Sequence, residues 1–185
     1  MIAVVWSSPN TDGLTATAKN QIVQGLTSTG KMVEDIHLNK LSLEHCRSCG
    51  RSYGACQTKG RCVIGDDFSS VYSKLVNAEG IVWISAVYWH DITECMKAFI
   101  DRLRRCETAH NSFLIGKQNL IIACAGGTGL GAISCLDHLE TALSHMKIIT
   151  VDRLPIIQFN KEYMLPALVE AGKAFARSKD CCPTG

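Results

Sequence analysis

A doubly wound α/β sheet is the architecture this sequence predicts, and three observations point to it. Short apolar runs alternate with amphipathic stretches about five times along the chain. The third run, Ile81-Val-Trp-Ile84, is nearly unbroken in apolar residues, as expected of a parallel strand covered on both faces. The loops after the first, third and fourth runs have unusual compositions, and in such a sheet ligands bind outside the carboxyl ends of the strands.

The elements follow in order. Ile2–Trp6 reads as the first strand, and Leu14, Ala18, Ile22 and Leu26 mark a helix ended by Gly30. A second strand runs through Val33 and Ile36 to Leu38, followed by a cysteine-rich loop over residues 44–65. A helix from about Asp66 carries Phe68, Val71, Tyr72, Leu75 and Val76 on its apolar face, and the Ile81–Ile84 strand comes next. A helix spans roughly Ile92 to Arg105, Leu120–Cys124 is the fourth strand, and Ile133, Leu136, Leu139 and Leu143 mark another helix. Ile148–Val151 is the fifth strand and Tyr163–Ala176 the last helix. Strands and helices in this alternation make a parallel sheet with right-handed crossovers.

Composition bounds the function. With 185 residues, 46% hydrophobic and 19% charged, the chain is expected to form one domain over residues 1–179 with a well-filled core, and a flexible tail over 180–185. A net charge of +2 is too small to predict a nucleic-acid or membrane partner. The apolar N-terminus lacks a preceding basic region and reads as a strand, not a signal peptide. No apolar run reaches the roughly 18 residues that suggest a membrane span. A cytoplasmic location is the expectation, where thiols stay reduced. Ten cysteines are then core residues, metal ligands or redox groups rather than a disulfide framework.

Three loops carry candidate chemistry. Ser7-Ser-Pro-Asn-Thr-Asp-Gly-Leu-Thr15 offers the side chains of Ser7, Ser8, Asn10, Thr11 and Thr15 at a helix N-terminus, with Gly13 freeing the backbone. A phosphate held by neutral donors fits, and so does a plain helix cap. Ser85-Ala-Val-Tyr-Trp-His-Asp-Ile-Thr93 places two aromatics where they could stack on a planar ring, or simply cover the core. Ala86 and Val87 let the backbone approach that ring's edge, and His90 is either a weak candidate proton donor or a solvated loop residue. In Ala125-Gly-Gly-Thr-Gly-Leu-Gly131, Gly127, Gly129 and Ala132 match a dinucleotide fingerprint, with Asp152 downstream. That fingerprint belongs on the first strand of its unit, so a glycine loop admitting a flat ring fits better.

Together these loops resemble the flavodoxin-like NADPH-dependent FMN reductase family across nearly the whole chain. Ser7-Ser-Pro with Gly13 and Thr15 resembles G-S-P-…-G-N-T, with Ser7 for the glycine and Leu14 for the asparagine. Ser85-Ala-Val-Tyr-Trp-His-Asp resembles S-P-V-Y-W-G-D, with Ala86 for the proline and His90 for the glycine. Met96-Lys-Ala-Phe-Ile-Asp-Arg-Leu103 matches M-K-A-F-I-D-R-L throughout. The resemblance implies five parallel strands in the order 2-1-3-4-5, with a cysteine-rich insertion after strand 2. It also implies non-covalent FMN held by Ser7, Ser8, Asn10, Gly13, Leu14 and Thr15, with its ring between Ala86, Val87, Tyr88, Trp89, His90 and Ala125, Gly126, Gly127, Thr128, Gly129. In the family the flavin N5 does the hydride chemistry, so no protein acid or base is assigned.

Iron–sulfur flavoproteins of this family carry a compact four-cysteine motif after strand two. Here Cys46, Cys49, Cys56 and Cys62 follow the spacing C-x2-C-x6-C-x5-C, with Ser52 in the expected third place. They could hold a [4Fe–4S] cluster, with Arg47, Arg51, Lys59 and Arg61 offsetting its charge, or a structural zinc, or no metal. Cys95, Cys106, Cys124 and Cys135 read as small apolar residues. The resulting expectation is an FMN oxidoreductase taking electrons from NAD(P)H, or from ferredoxin if a cluster is present. Its acceptor would be a quinone, flavin, oxygen or another small molecule, and relatives imply a homodimer or homotetramer. A flavodoxin-type electron carrier and a zinc or thiol redox switch are the competing functions.

Overall fold

The computed structural model describes residues 1–50 and 54–178. Five parallel strands form the sheet in the order β2-β1-β3-β4-β5. These are β1 (Ile2–Ser7), β2 (Val33–His37), β3 (Gly80–Ala86), β4 (Gln118–Ala125) and β5 (Ile149–Ile157). The helices are α1 (Leu14–Ser28), α2 (Ala55–Lys59), α3 (Phe68–Asn77), α4 (Glu94–Cys106), α5 (Ala132–Ser144) and α6 (Lys161–Arg177). The expected strand order is borne out. Its direction reverses between β1 and β3, which opens a crevice at their carboxyl ends.

Alternation along each central strand builds two cores. Ile2, Val4 and Trp6 of β1 join Val82, Ile84, Leu120 and Ile122 under α1 and α6. Ala3 and Val5 point the other way, joining Ile81, Trp83, Ile121 and the apolar faces of α3, α4 and α5. All six residues of β1 are buried, which is why its sequence reads as one apolar run and not as an alternation. On the first face α1 and α6 touch backbone to backbone. A Cβ added to Gly25 would lie 2.1 Å from the Val169 carbonyl oxygen, and one at Gly172 would lie 2.6 Å from that of Ile22.

Several boundaries differ from the sequence reading. β5 continues to Ile157 instead of stopping at Val151. Its edge position leaves much of it exposed, so the apolar run that marks a covered strand is missing. The second strand ends at His37, and Leu38 opens a short 3-10 turn. The helix expected from Ile92 starts at Glu94, because Thr93 caps it by accepting from the Met96 amide. Ile133, expected on the buried face of α5, is 68% exposed. Two elements have no counterpart in the sequence reading, the short helix α2 inside the cysteine loop and a π-helical turn over Glu107–Asn111. Arg51, Ser52 and the tail at 180–185, with Cys181 and Cys182, lie outside the described residues.

Candidate functional site

At the end of β1 the chain turns through Ser8–Asp12 into α1, whose N-cap is Gly13. No side chain caps this helix, and its first turn holds no acidic residue. Its leading N–H groups and positive dipole end are therefore available to an external anion. Ser8 is buried, and its Oγ accepts from the Asn10 amide at 3.2 Å, which leaves its hydrogen to donate elsewhere. The Ser8 carbonyl lies 2.8 Å from His37 Nε2, and that imidazole stacks on Trp6 at 3.6 Å between ring centres. Thr15 is also buried, with its hydroxyl bonded to the Cys124 thiol at the end of β4. Ser7 departs from expectation. It is fully buried, and its hydroxyl donates to Asn39 Oδ1 at 2.9 Å and pairs with Thr93 Oγ1. Ser7 anchors the loop from beneath, so the hydroxyl expected to face a ligand points inward.

After β3, Tyr88 and Asp91 exchange backbone hydrogen bonds of 2.8 and 2.9 Å across Trp89 and His90. Both central residues have positive φ, 49° and 68°. This closes the turn with the backbone usually given to Asn-Gly. Bulky side chains in that conformation are strained, and the turn holds Trp89 almost wholly in solvent, at 97% exposure. Asp91 Oδ1 lies 3.3 Å from His138 Nδ1, tying the turn to α5.

The loop after β4 faces this turn. Gly127, Gly129 and Gly131 have φ of +53°, +74° and +85°, and a Cβ at Gly126 or Gly127 would meet nothing within 4 Å. At Gly131, by contrast, a Cβ would lie 2.6 Å from the His90 Cα. The two loops thus touch at one end and open at the other. The Val87 amide also donates to the Cys124 carbonyl at 3.0 Å. Neutral donors around an uncapped helix end, an open glycine loop and an exposed aromatic turn suit a phosphate ester carried on a flat ring.

A second site lies among the cysteines. Cys46, Cys49, Cys56 and Cys62 all line one pocket, together with Arg47, Arg102, Arg105 and Cys106. The backbone is pinned around it. A Cβ on Gly54 would lie 2.9 Å from that of Cys49, and Gly60, at φ +61°, has no room for one beside Asn111. Asn111 Nδ2 donates to the Gly60 carbonyl and, at 2.9 Å, to the Tyr72 hydroxyl, which in turn donates to buried Glu107. Burial, with Glu107 adding to it, raises the Tyr72 hydroxyl far above the usual tyrosine range.

Arg102 of α4 is buried and bonded to both oxygens of Asp66, at 2.6 and 2.7 Å. Its Nη1 also donates to the Glu44 carbonyl at 2.9 Å, and its Nη2 lies 3.4 Å from Cys62 Sγ. Burial pushes the Cys106 thiol up to about 12, with Cys62 and Cys56 adding to the shift. Zinc–thiolate bonds of about 2.3 Å would require sulfurs within about 3.8 Å of one another. Among the described residues, no group of three or more His, Cys, Asp or Glu side chains is placed to hold a metal ion. The four cysteines line one pocket without converging on a point.

The cations differ from those expected. Arg47 lines the pocket, whereas Lys59 and Arg61 do not, and α4 contributes Arg102 and Arg105 instead. Cys106, expected only to pack, also faces the pocket. One signal pointed to Arg102, since it is a charge on the stripe of α4 that buries Phe99, Leu103 and Cys106. A charged residue there must have a buried partner.

Comparison with known proteins agrees with this geometry. The profile of the NADPH-dependent FMN reductase family matches residues 1–161. An iron–sulfur flavoprotein of Archaeoglobus fulgidus is 28% identical over 125 residues, 68% of this chain and 54% of that protein. An iron–sulfur flavoprotein of Methanocaldococcus jannaschii is 29% identical over 97 residues, 52% of this chain and 48% of that protein. The chain thus spans about half the length of these curated relatives. In fold it is similar to an NAD(P)H:quinone oxidoreductase from Methanothermobacter marburgensis, with a TM-score of 0.73, 16% identity and 94% of each chain covered. No helix among the described residues is long and apolar enough to cross a membrane.

Proposed function

The chain belongs to the NADPH-dependent FMN reductase family, and from that premise we propose that it is an FMN-dependent oxidoreductase passing electrons from NAD(P)H to a small acceptor. The observation that carries this reading is the uncapped N-terminus of α1, set beside an open glycine loop and a strained aromatic turn at the crevice of the sheet. The phosphate is assigned to the first-turn amides of α1 with Ser8, Asn10 and Thr15, while Gly13 and Leu14 supply backbone. The ring lies between Ala86–His90 and Ala125–Gly129. Bound there, FMN would supply hydride and single-electron transfer through its ring.

The protein's own part is to bind and orient. Neutral donors and the dipole of α1 hold the phosphate without a lysine or arginine in the loop. The Tyr88–Asp91 hydrogen bonds fix the turn that presents Trp89 as a stacking face. His90 is held against Gly131 by its backbone, which makes its role in this reading one of loop shape and not of proton transfer.

The cysteine pocket is assigned to a [4Fe–4S] cluster on Cys46, Cys49, Cys56 and Cys62, which would supply one-electron transfer and admit ferredoxin as an alternative donor. Four cysteines lining one pocket, with arginines in its wall, support this reading. A homodimer or homotetramer is part of the same reading. Its support is the exposure of Trp89, Leu130, Ile133 and Phe159 at 97, 68, 68 and 85%, all at the carboxyl side of the sheet.

The test is a visible spectrum of anaerobically purified protein, followed by FMN titration and NAD(P)H oxidation with a quinone acceptor. Flavin bands and FMN-dependent turnover are expected, with a broad shoulder near about 400 nm from the cluster that bleaches on reduction. A protein that neither contains nor takes up FMN refutes the reading. Sedimentation analysis tests the oligomer.

A further inference from the structure

Arg102 is held by several partners at the cysteine pocket, and it lies 40 residues in sequence from the thiol it touches. Asp66 grips both of its terminal nitrogens, the Glu44 carbonyl takes a third bond, and the guanidinium lies 4.4 Å from the Phe68 ring centre. Ion pair and stacking together leave the fork one orientation. In it the remaining Nη2 hydrogen is directed at Cys62 Sγ, at 3.4 Å. Asp66 is itself fixed, accepting from the amides of Glu44 at 2.8 Å and Phe68 at 3.3 Å. The bond to sulfur is therefore imposed by the core on the pocket. A surface arginine folding over a thiol would be free to leave.

We propose that Arg102 is a positioning residue that holds Cys62 and sets the reduction potential of the cluster bound there, through an N–H···S bond from a buried guanidinium. The inference rests on the cluster assignment made above. The sulfur of a cluster ligand gains negative charge when the cluster accepts an electron. A fixed donor on that sulfur therefore stabilises the reduced form more than the oxidised one. Because the pair Arg102–Asp66 is neutral overall, the effect comes from the directed hydrogen bond and not from a net positive charge. An ammonium group lacks the rigid fork that spans carboxylate and sulfur together. Arg102→Lys should therefore keep the ion pair and lose the bond to Cys62.

The experiment compares wild type, Arg102→Lys and the surface control Lys97→Gln after anaerobic reconstitution with iron and sulfide. It measures iron content, thermal stability and the cluster midpoint potential. Where about 1.4 kcal/mol of a charge-assisted hydrogen bond worth about 1.5–3 kcal/mol is gained only on reduction, the one-electron reduction equilibrium changes tenfold, or about 59 mV. The expected result is a lower potential in R102K by that amount, with wild-type potential in K97Q. A wild type that loads iron but an R102K whose reduction equilibrium stays within threefold of it overturns the inference and leaves the cluster assignment standing. A folded R102K that no longer holds iron assigns Arg102 to loop structure alone, and this too overturns it. A wild type that holds no iron or sulfide overturns both.

Discussion

Replacing Gly131 with alanine tests whether the loops after β3 and β4 are held together as a unit. Gly131 has φ +85°, where an L side chain costs about 1–2 kcal/mol. The new methyl would also lie 2.6 Å from the His90 Cα, 2.9 Å from its Cγ and 3.1 Å from its Cβ. Atoms at those distances must move apart, at about 1–3 kcal/mol for an overpacked site. A loss of at least about 2 kcal/mol lowers the Tm by about 4–8 °C in a domain of this size. If the turn shifts to relieve the clash, FMN affinity falls about tenfold or more. Differential scanning calorimetry and fluorescence titration with FMN read the two effects. A second variant apportions them, because His90→Gly takes the imidazole out of the methyl's way but leaves the close backbone approach and the φ penalty. The double variant G131A/H90G should recover part of the loss, with a coupling of about 1 kcal/mol. Unchanged Tm and FMN affinity in G131A, or strict additivity in the cycle, would refute the coupling of the loops at this position.

Further expectations follow from other parts of the fold. Gly25→Ala improves helix propensity by about 1 kcal/mol, yet its methyl would sit 2.1 Å from the Val169 carbonyl. Packing should win, with a net loss of about 2 kcal/mol in urea denaturation, and a gain in stability would show that α1 and α6 separate freely. Burial raises the Asp66 carboxyl, but the hydrogen bonds and charge of Arg102 outweigh it and hold the group below its usual 3.8. A depressed folded pKa contributes stability that is complete above 3.8 and is lost as pH falls through the folded value. Asp66→Asn should therefore cost about 3–5 kcal/mol near neutral pH, and the gap from wild type should shrink in acid. Burial pushes the thiols of Cys106, Cys124 and Cys135 up to about 12. In protein stripped of iron, iodoacetamide at pH 8 should label the partly exposed Cys46 and Cys49 well before these three, as peptide mapping by mass spectrometry would show.

Much of this molecule is legible without coordinates. Burial of β1, β3 and β4 on both faces writes itself into the chain as apolar runs, because every side chain of such a strand meets a helix layer. The loop after β4 is also legible, since Gly127, Gly129 and Gly131 answer a local backbone demand for positive φ. β5 is harder to delimit because an edge strand is only partly covered, and its exposed residues need not be apolar. α2 leaves no trace in the pattern because its five residues are too few to show a helical period.

Tertiary structure alone decided three points at the sites. The Ser7 hydroxyl turned inward because Asn39 and Thr93 reach it from 32 and 86 residues away. His90 took the glycine-like conformation because the Tyr88–Asp91 bonds and the close approach of Gly131 leave no other path. Arg102 and Cys106 came to the cysteine pocket because α4 packs beside the loop, bringing Asp66 and Cys62 to one guanidinium. Sequence pattern reports what each residue needs from its own strand or helix. Which distant residue satisfies that need depends on how the crossovers stack, and that is how a cysteine-rich loop acquired its arginine.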